Sequence, residues 1–254
     1  MNNKTSVYDK ENFFDLYQKL RANPISLNEI VEKPTILSLL PDLKGKKLLD
    51  LGSGTGGHLQ LYLERGAAKV IGTDLSEKML EQAEKDLQKC GQFSERFSLY
   101  HLPMEKLAEL PERHFDVITS SFAFHYIEDF PALLSTIYDK LSSNGILVFS
   151  QEHPITTCHK EGDRWEKNDK KQQIAYRLNH YREEGKRDRN WFKQPFQTYH
   201  RTTATIINNL IHAGFQIEQM EEPMLADQPQ WHNEFKDLSH RPPLLFIKAR
   251  KVEK

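Results

Sequence analysis

Asp50, Gly52, Gly54 and Gly56 occupy alternate positions in the run KLLDLGSGTGGH, residues 47–58. Glycines at that spacing adopt turn angles other residues resist and carry no Cβ to hold a ligand off the backbone. A helix expected from about Gly57 would point its unpaired N–H groups at an anionic part of the ligand. Further on, Asp74 ends the apolar run KVIGTD, where it can accept from both hydroxyls of a ribose. Together these residues describe a nucleotide-like cofactor site at the carboxyl end of the first strand of a doubly wound sheet. The glycines alone leave two cofactors open, because Gly52, Gly54 and Gly57 also satisfy the dinucleotide pattern G-x-G-x-x-G. Asp50 discriminates: an acid two residues before the first glycine suits an ammonium group and repels a pyrophosphate.

The elements that must hold these residues alternate as a parallel sheet requires. Residues 11–22 and 33–43 read as amphipathic helices. Strands are expected at KKLLDL, KVIGTD, RFSLYHL, HFDVITSSF and ILVFS. Between them, HLQLYLERGA is a helix ended by Gly66, and SEKMLEQAEKDLQKC is one capped by Ser76. Pro131 suits the first turn of the helix before Asn144-Gly145. After residues 151–201, which show no clean period, TTATIINNLIHAGF reads as a helix capped by Thr202 or Thr203 and ended by Gly214. FQIEQMEE and LLFIKARK follow as strands, the last antiparallel, joined by a polar connection over residues 224–243. The expected fold is α/β: a Rossmann-like, mostly parallel seven-stranded sheet with an insertion after strand five. One domain is expected over 1–254, with an N-terminal cap (1–32), a cofactor core (33–150), a substrate lid (151–201) and a closing helix and strand pair (202–254).

The D-x-G-x-G-x-G run, with Asp74 and DLSEKML behind it, resembles the first motifs of the class I S-adenosylmethionine (SAM) methyltransferases, of the type 11 kind. The resemblance implies SAM as cofactor. Gly52, Gly54 and Gly56 would lie against its methionine part, Asp50 near its amino group and Asp74 on the ribose. Leu75 and Met79 would flank the adenine, and Ser120 would contribute backbone near the amino-acid end. Where that family usually carries Asp-Ala-Glu, this chain has Pro103-Met104-Glu105. Pro103 cannot accept from the adenine amino group, while the Met104 N–H can still serve the ring. The run EHP, then Trp165, then NWF and YHRTT, is similar to a bacterial small-molecule subgroup of that superfamily. Its N-terminal helix would bring Tyr8, Phe13, Phe14, Tyr17 and Arg21 over the cofactor, with Arg21 on the carboxylate.

Methyl transfer needs a base only when the acceptor arrives protonated, and histidine suits that task near neutral pH. His153, at the end of strand five, and His200, before the closing helix, are the candidates. His125 reads as a packing residue and His159 as solvated. A metal site from His153 and His159 lacks further ligands, so none is expected. Residues 159–201 carry twelve basic and seven acidic side chains, interleaved with Trp165, Tyr176, Tyr181, Trp191, Phe192, Phe196 and Tyr199. Such a segment suits a lid whose aromatics wall an acceptor pocket and whose arginines hold an anionic group.

The expected reaction is therefore methyl transfer to O or N of a small aromatic or anionic molecule. An RNA-modifying enzyme is the alternative within the class. Against nucleic acid, strand four ends in SSFAFHY rather than the Pro-Pro-aromatic motif of amino methyltransferases, and no Pro-Cys nucleophile is present. An NAD-dependent oxidoreductase lacks its Tyr-x-x-x-Lys pair, and a non-catalytic SAM-binding protein would not need the aromatic segment. The net charge of −1 creates no field toward nucleic acid or membrane. Two cysteines, a polar start and no apolar run near the roughly 20 residues of a membrane span lead to a cytoplasmic expectation.

Overall fold

Alternate residues of each central strand are apolar on both sides, and a computed structural model shows why. It describes residues 6–10, 12–91, 93–161, 164–224 and 235–253. Residues 1–5 of the polar start and 225–234 of the polar connection lie outside that description. The central strands are β1 (Lys47–Leu51), β2 (Lys69–Asp74), β3 (Phe97–His101), β4 (Phe115–Ser120) and β5 (Leu141–Glu152). With β10 (Phe215–Glu221) and β11 (Leu244–Lys251) they form one sheet in the order β10-β11-β5-β4-β1-β2-β3. All neighbours are parallel except β11, which runs antiparallel to both β5 and β10.

The helices are α1 (Phe13–Arg21), α2 (Lys33–Leu39), α3 (Gly57–Glu64), α4 (Glu77–Lys89), α5 (Phe130–Lys140) and α7 (Thr203–Ala213), with a single turn α6 (Pro154–Thr157). Leu49, Ile71, Ile118, Leu147 and Ile247 face α5 and α7, packing with Leu134, Ile137, Ile206 and Leu210. Their neighbours Leu48, Val70 and Val117 face the other way, onto Leu59, Tyr62 and Leu87 of α3 and α4. Ile146, Val148 and Phe246 meet Ile36 and Leu39 of α2. A period of two, buried on both faces, is what a helix-covered parallel sheet demands.

Caps fall where the sequence places them. Ser76 Oγ accepts from Met79 N, Thr202 Oγ1 accepts from Thr205 N, and Gly214 closes α7 at φ 100°. Two boundaries differ. The second helix ends at Leu39, and a π-helical turn at Asn28–Glu32 runs directly into it. Strand β5 starts at Leu141, with Asn144-Gly145 in a register break beside β4 rather than in a separate turn.

The aperiodic segment after β5 folds as two antiparallel hairpins. β6 (Trp165–Lys167) pairs with β7 (Gln173–Tyr176), and β8 (Gly185–Trp191) with β9 (Gln194–His200). Phe192 and Lys193 make the β8–β9 turn at φ 50° and 61°. The rings of Tyr8, Phe13 and Tyr17 pack edge-on against Trp191 at that hairpin's tip, with centroids 6.5, 5.4 and 6.1 Å away. The N-terminal segment and the second hairpin thus meet above the carboxyl ends of the strands. Among the described residues, no helix is long and apolar enough to cross a membrane.

Candidate active site

Strand order reverses on either side of β1, since the chain steps to β2 on one side and later to β4 on the other. Such a switch point opens a crevice at the carboxyl ends of the strands. Here it is a cavity of about 630 Å³ whose lining includes Asp50, Gly52, Gly54, Asp74, Leu75, Met79 and Met104. The glycine turn forms its floor. Gly52, Gly54 and Gly56 have φ of 72°, 53° and 78°. A Cβ at Gly52 would lie 2.8 Å from Met104 Cε and 2.9 Å from Ala123 Cβ, whereas at Gly54 it would meet nothing within 4 Å. The first glycine is therefore required for packing, and the second leaves bare backbone facing a ligand.

Asp74 steadies this turn. Its Oδ2 accepts from Gly54 N at 2.9 Å and its Oδ1 from Ser76 N at 2.8 Å. Burial raises its pKa despite those bonds. Asp50 is almost fully buried, accepts from Thr119 Oγ1 at 2.7 Å, and is pushed up to about 6 by burial. Near it, His58 also lines the cavity, and its Nε2 lies 3.4 Å from Oε2 of Glu32, which is wholly buried. Burial alone would lower the His58 pKa, but Glu32 and Asp50 outweigh it and raise the net value.

The two ends of the cavity differ in chemistry. Leu75, Met79, Leu102, Pro103 and Met104 make one end apolar. Elsewhere on the lining, Arg21 Nη1 and Ser53 Oγ are buried without a hydrogen-bond partner. Orphaned donors of that kind fit a polar ligand group such as an amino-acid terminus, and the apolar end fits a purine. The roof is aromatic: Tyr8, Phe122, Tyr126, Phe196 and Tyr199. The hydroxyls of Tyr8 and Tyr126 lie 3.4 Å apart, and burial holds both phenols above their ordinary pKa.

Most of the residues singled out by sequence converge here: Arg21, Asp50, Gly52, Gly54, Asp74, Leu75, Met79 and Met104 all line the cavity. Gly56 sits beneath it as the N-cap of α3. Ser120 does not line it, because its hydroxyl donates to Leu51 O and ties β4 to β1; Ser121 takes the place expected for it.

The two histidines expected as bases are elsewhere. His153 accepts from Ile155 N as the cap of α6, and its Nε2 pairs with Glu222 Oε1 at 2.7 Å. His200 is fully buried, bonded through Nδ1 to Thr157 Oγ1 at 2.8 Å and through Nε2 to Tyr181 O at 2.9 Å. Both ring nitrogens of each are engaged in holding the insertion together, and burial lowers both pKa values. His159 is buried, not solvated, and burial lowers its pKa to about 4. His125 is packed in the interior, its ring 4.3 Å from that of Tyr126.

Three arginines of the insertion hold backbone in place. Arg187 donates to the carbonyls of Cys158, His180, Glu183, Gly185 and Lys186. Arg189 donates to those of Thr157 and His159, and Arg201 to those of Ile127 and Glu128. Of the seven interleaved aromatics only Phe196 and Tyr199 line the cavity. Trp165 and Tyr176 pack edge to face, with His240 and Arg241 beside them.

A cavity with this lining, at the switch point of this sheet, fits a nucleoside carrying an amino-acid end. Residues 49–149 match the model of the methyltransferase domain family. A putative S-adenosylmethionine-dependent methyltransferase from Listeria monocytogenes superposes with TM-score 0.77 at 34% identity, covering 87% of this chain and 98% of that one. An S-adenosylmethionine-dependent methyltransferase from Mesorhizobium loti gives TM-score 0.76 at 32% identity, covering 89% of this chain and 100% of that one. The ubiquinone biosynthesis O-methyltransferase of Psychrobacter arcticus is 30% identical over 136 residues, 50% of this chain and 52% of that protein. The chain thus spans about half the length of that curated relative. This chain belongs to the SAM-dependent methyltransferase family, and its cofactor is S-adenosylmethionine.

His58 and Tyr126, which line the cavity, and Glu32, which lies against His58, are not among the residues the sequence singles out. His58 ends the quoted glycine run, so its position was on view; Glu32 precedes an ordinary amphipathic helix and carries no local signal of burial.

Proposed function

We propose that this enzyme transfers a methyl group to an oxygen or nitrogen of a small aromatic molecule held between the glycine turn and the aromatic roof. The observation that carries this is the placement of Tyr8, Phe122, Tyr126, Phe196 and Tyr199 around one cavity with Asp50 and Asp74. A planar acceptor can stack or pack edge-on against such rings. None of the insertion's arginines is among the residues lining the cavity, and Arg187, Arg189 and Arg201 donate to backbone carbonyls, which favours an aromatic acceptor over an anionic one. The O-methyltransferase among the relatives favours oxygen.

When bound, S-adenosylmethionine supplies a methyl group on a sulfonium, already activated for in-line transfer. This chain's residues would hold it as follows. Asp74 takes the ribose hydroxyls, and Leu75, Met79 and Met104 enclose the adenine. Asp50 faces the ammonium group and Arg21 the carboxylate. The roof keeps water out and fixes the acceptor at near-attack distance, which is most of what the reaction asks. Tyr8 and Tyr126 stay protonated near neutral pH, so they orient the acceptor by hydrogen bonding and do not remove its proton. His153 and His200 are positioning residues for the insertion.

The test is an incubation with S-adenosylmethionine and separate pools of phenols, aromatic amines, aliphatic acids and transfer RNA, followed by mass spectrometry. Acceptor-dependent S-adenosylhomocysteine with a methylated phenol or aromatic amine supports the reading. Methylation confined to the aliphatic acids or to RNA overturns it.

A further inference from the structure

Three ionisable side chains meet beneath the glycine turn, and the family's first motif includes only one of them. Glu32 comes from the π-helical turn ahead of α2, Asp50 from β1 and His58 from the first turn of α3. All three are nearly or fully buried. Glu32 Oε1 accepts from Ser150 Oγ at 2.9 Å, and that hydroxyl accepts from Phe122 N at 3.0 Å, so the carboxylate is fixed in place. Its Oε2 faces His58 Nε2 at 3.4 Å, and neither atom has a well-formed hydrogen bond. Asp50 and His58 both open onto the cavity, at its polar end. Lys33 and Tyr62 are the other titratable groups around His58, and Asp74 is the further carboxylate around Asp50.

We infer that Glu32 and His58 form a buried charge pair that keeps Asp50 ionised, so that the floor offers one net negative charge to the ammonium of the cofactor's methionine end. An isolated pair of buried carboxylates cannot both stay charged, and one takes up a proton. A protonated His58 removes that conflict: it neutralises Glu32, 3.4 Å away, leaving Asp50 as the single uncompensated charge. The raised pKa of His58 and the lowered pKa of Glu32 agree with this pairing. His58 and Glu32 are then positioning residues that act through Asp50. The inference rests on the cofactor assignment above.

Charge arithmetic makes an unusual pattern of variants. In His58→Asn, Glu32 and Asp50 are left as two carboxylates, and Asp50 is neutralised for part of the population. In the double variant Glu32→Gln with His58→Asn, Asp50 again stands alone. Two ligands separate the ends of the site: S-adenosylhomocysteine carries the amino-acid terminus and 5′-methylthioadenosine lacks it. By calorimetry at pH 7, His58→Asn should weaken S-adenosylhomocysteine about tenfold and leave 5′-methylthioadenosine unchanged. The double variant should recover most of that loss. A double variant no better than the single, or an equal loss for both ligands, would overturn the inference in favour of packing or direct contact. Where the variants do not fold, the imidazole of His58 in the wild-type protein is followed by NMR; protonation persisting above pH 7 supports the pair, and titration below pH 6 overturns it. Failure of the wild-type protein to bind either nucleoside would point instead to the cofactor assignment.

Discussion

The floor and the roof of the cavity are built from different parts of the chain. On the floor, three glycines at positive φ form a tight turn that leaves Gly54 as bare backbone on the cavity, and Asp74 ties that backbone to β2. In the roof, rings from the N-terminal segment, from the loop after β4 and from β9 converge from distant parts of the sequence. A floor built of backbone tolerates little change and serves one cofactor. A roof built of side chains can be rebuilt for another acceptor without disturbing the sheet, which is how one scaffold serves many chemistries.

Changes to the floor should therefore abolish cofactor binding, and changes to the roof should spare it. The largest effect is expected from Gly52→Val, which adds a β-branched side chain at φ 72° against Met104 and Ala123. S-adenosylhomocysteine binding should disappear in calorimetry; retained affinity would show that the turn does not carry the ligand. Asp74→Ala follows, with a loss of about a hundredfold, because each bond to a charged acceptor is worth about 1.5–3 kcal/mol. In the roof, Phe196→Ala should raise the acceptor KM about tenfold and move S-adenosylhomocysteine affinity less than twofold. Equal losses in both would merge the two regions into one site.

Lowering the pH sharpens the contrast. Asp50 is held near pKa 6 by burial, so its charge is present above that value and lost below it. Affinity for S-adenosylhomocysteine should fall about fivefold between pH 6 and pH 5, as the ammonium loses its partner. A flat profile over that range would remove Asp50 from the site.

The smallest effect on ligands should come from the supports of the roof. Arg187→Ala strips donors from five carbonyls, and leaving buried acceptors unpaired should cost about 3 kcal/mol of stability, read as a lower Tm. Its cofactor affinity, measured well below that Tm, should stay within twofold of wild type.

The contrast also explains what was legible in the sequence. The floor is local: strand, glycine turn and helix follow one another in KLLDLGSGTGGH, and apolar periods mark every strand of the main sheet. The insertion hides the same alternation behind unexpected residues. In β8 the more buried positions are Arg187, Arg189 and Trp191, so the period of two is carried by two arginines instead of aliphatics. Its turn, Phe192-Lys193, bends at positive φ without the asparagine or glycine that would announce it. His153 and His200 stand at strand ends where catalytic bases are common, yet capping and stapling bonds take both ring nitrogens. Only contacts across long stretches of chain, such as Glu32 with His58 and Ser150, decide between those roles.

The most direct measurement is a calorimetric titration of the wild-type protein with S-adenosylhomocysteine and NADH in parallel. Micromolar binding of the first and none of the second is the predicted result, since Asp50 favours an ammonium and repels a pyrophosphate. Binding of NADH with no response to S-adenosylhomocysteine would contradict it and make the floor a dinucleotide site.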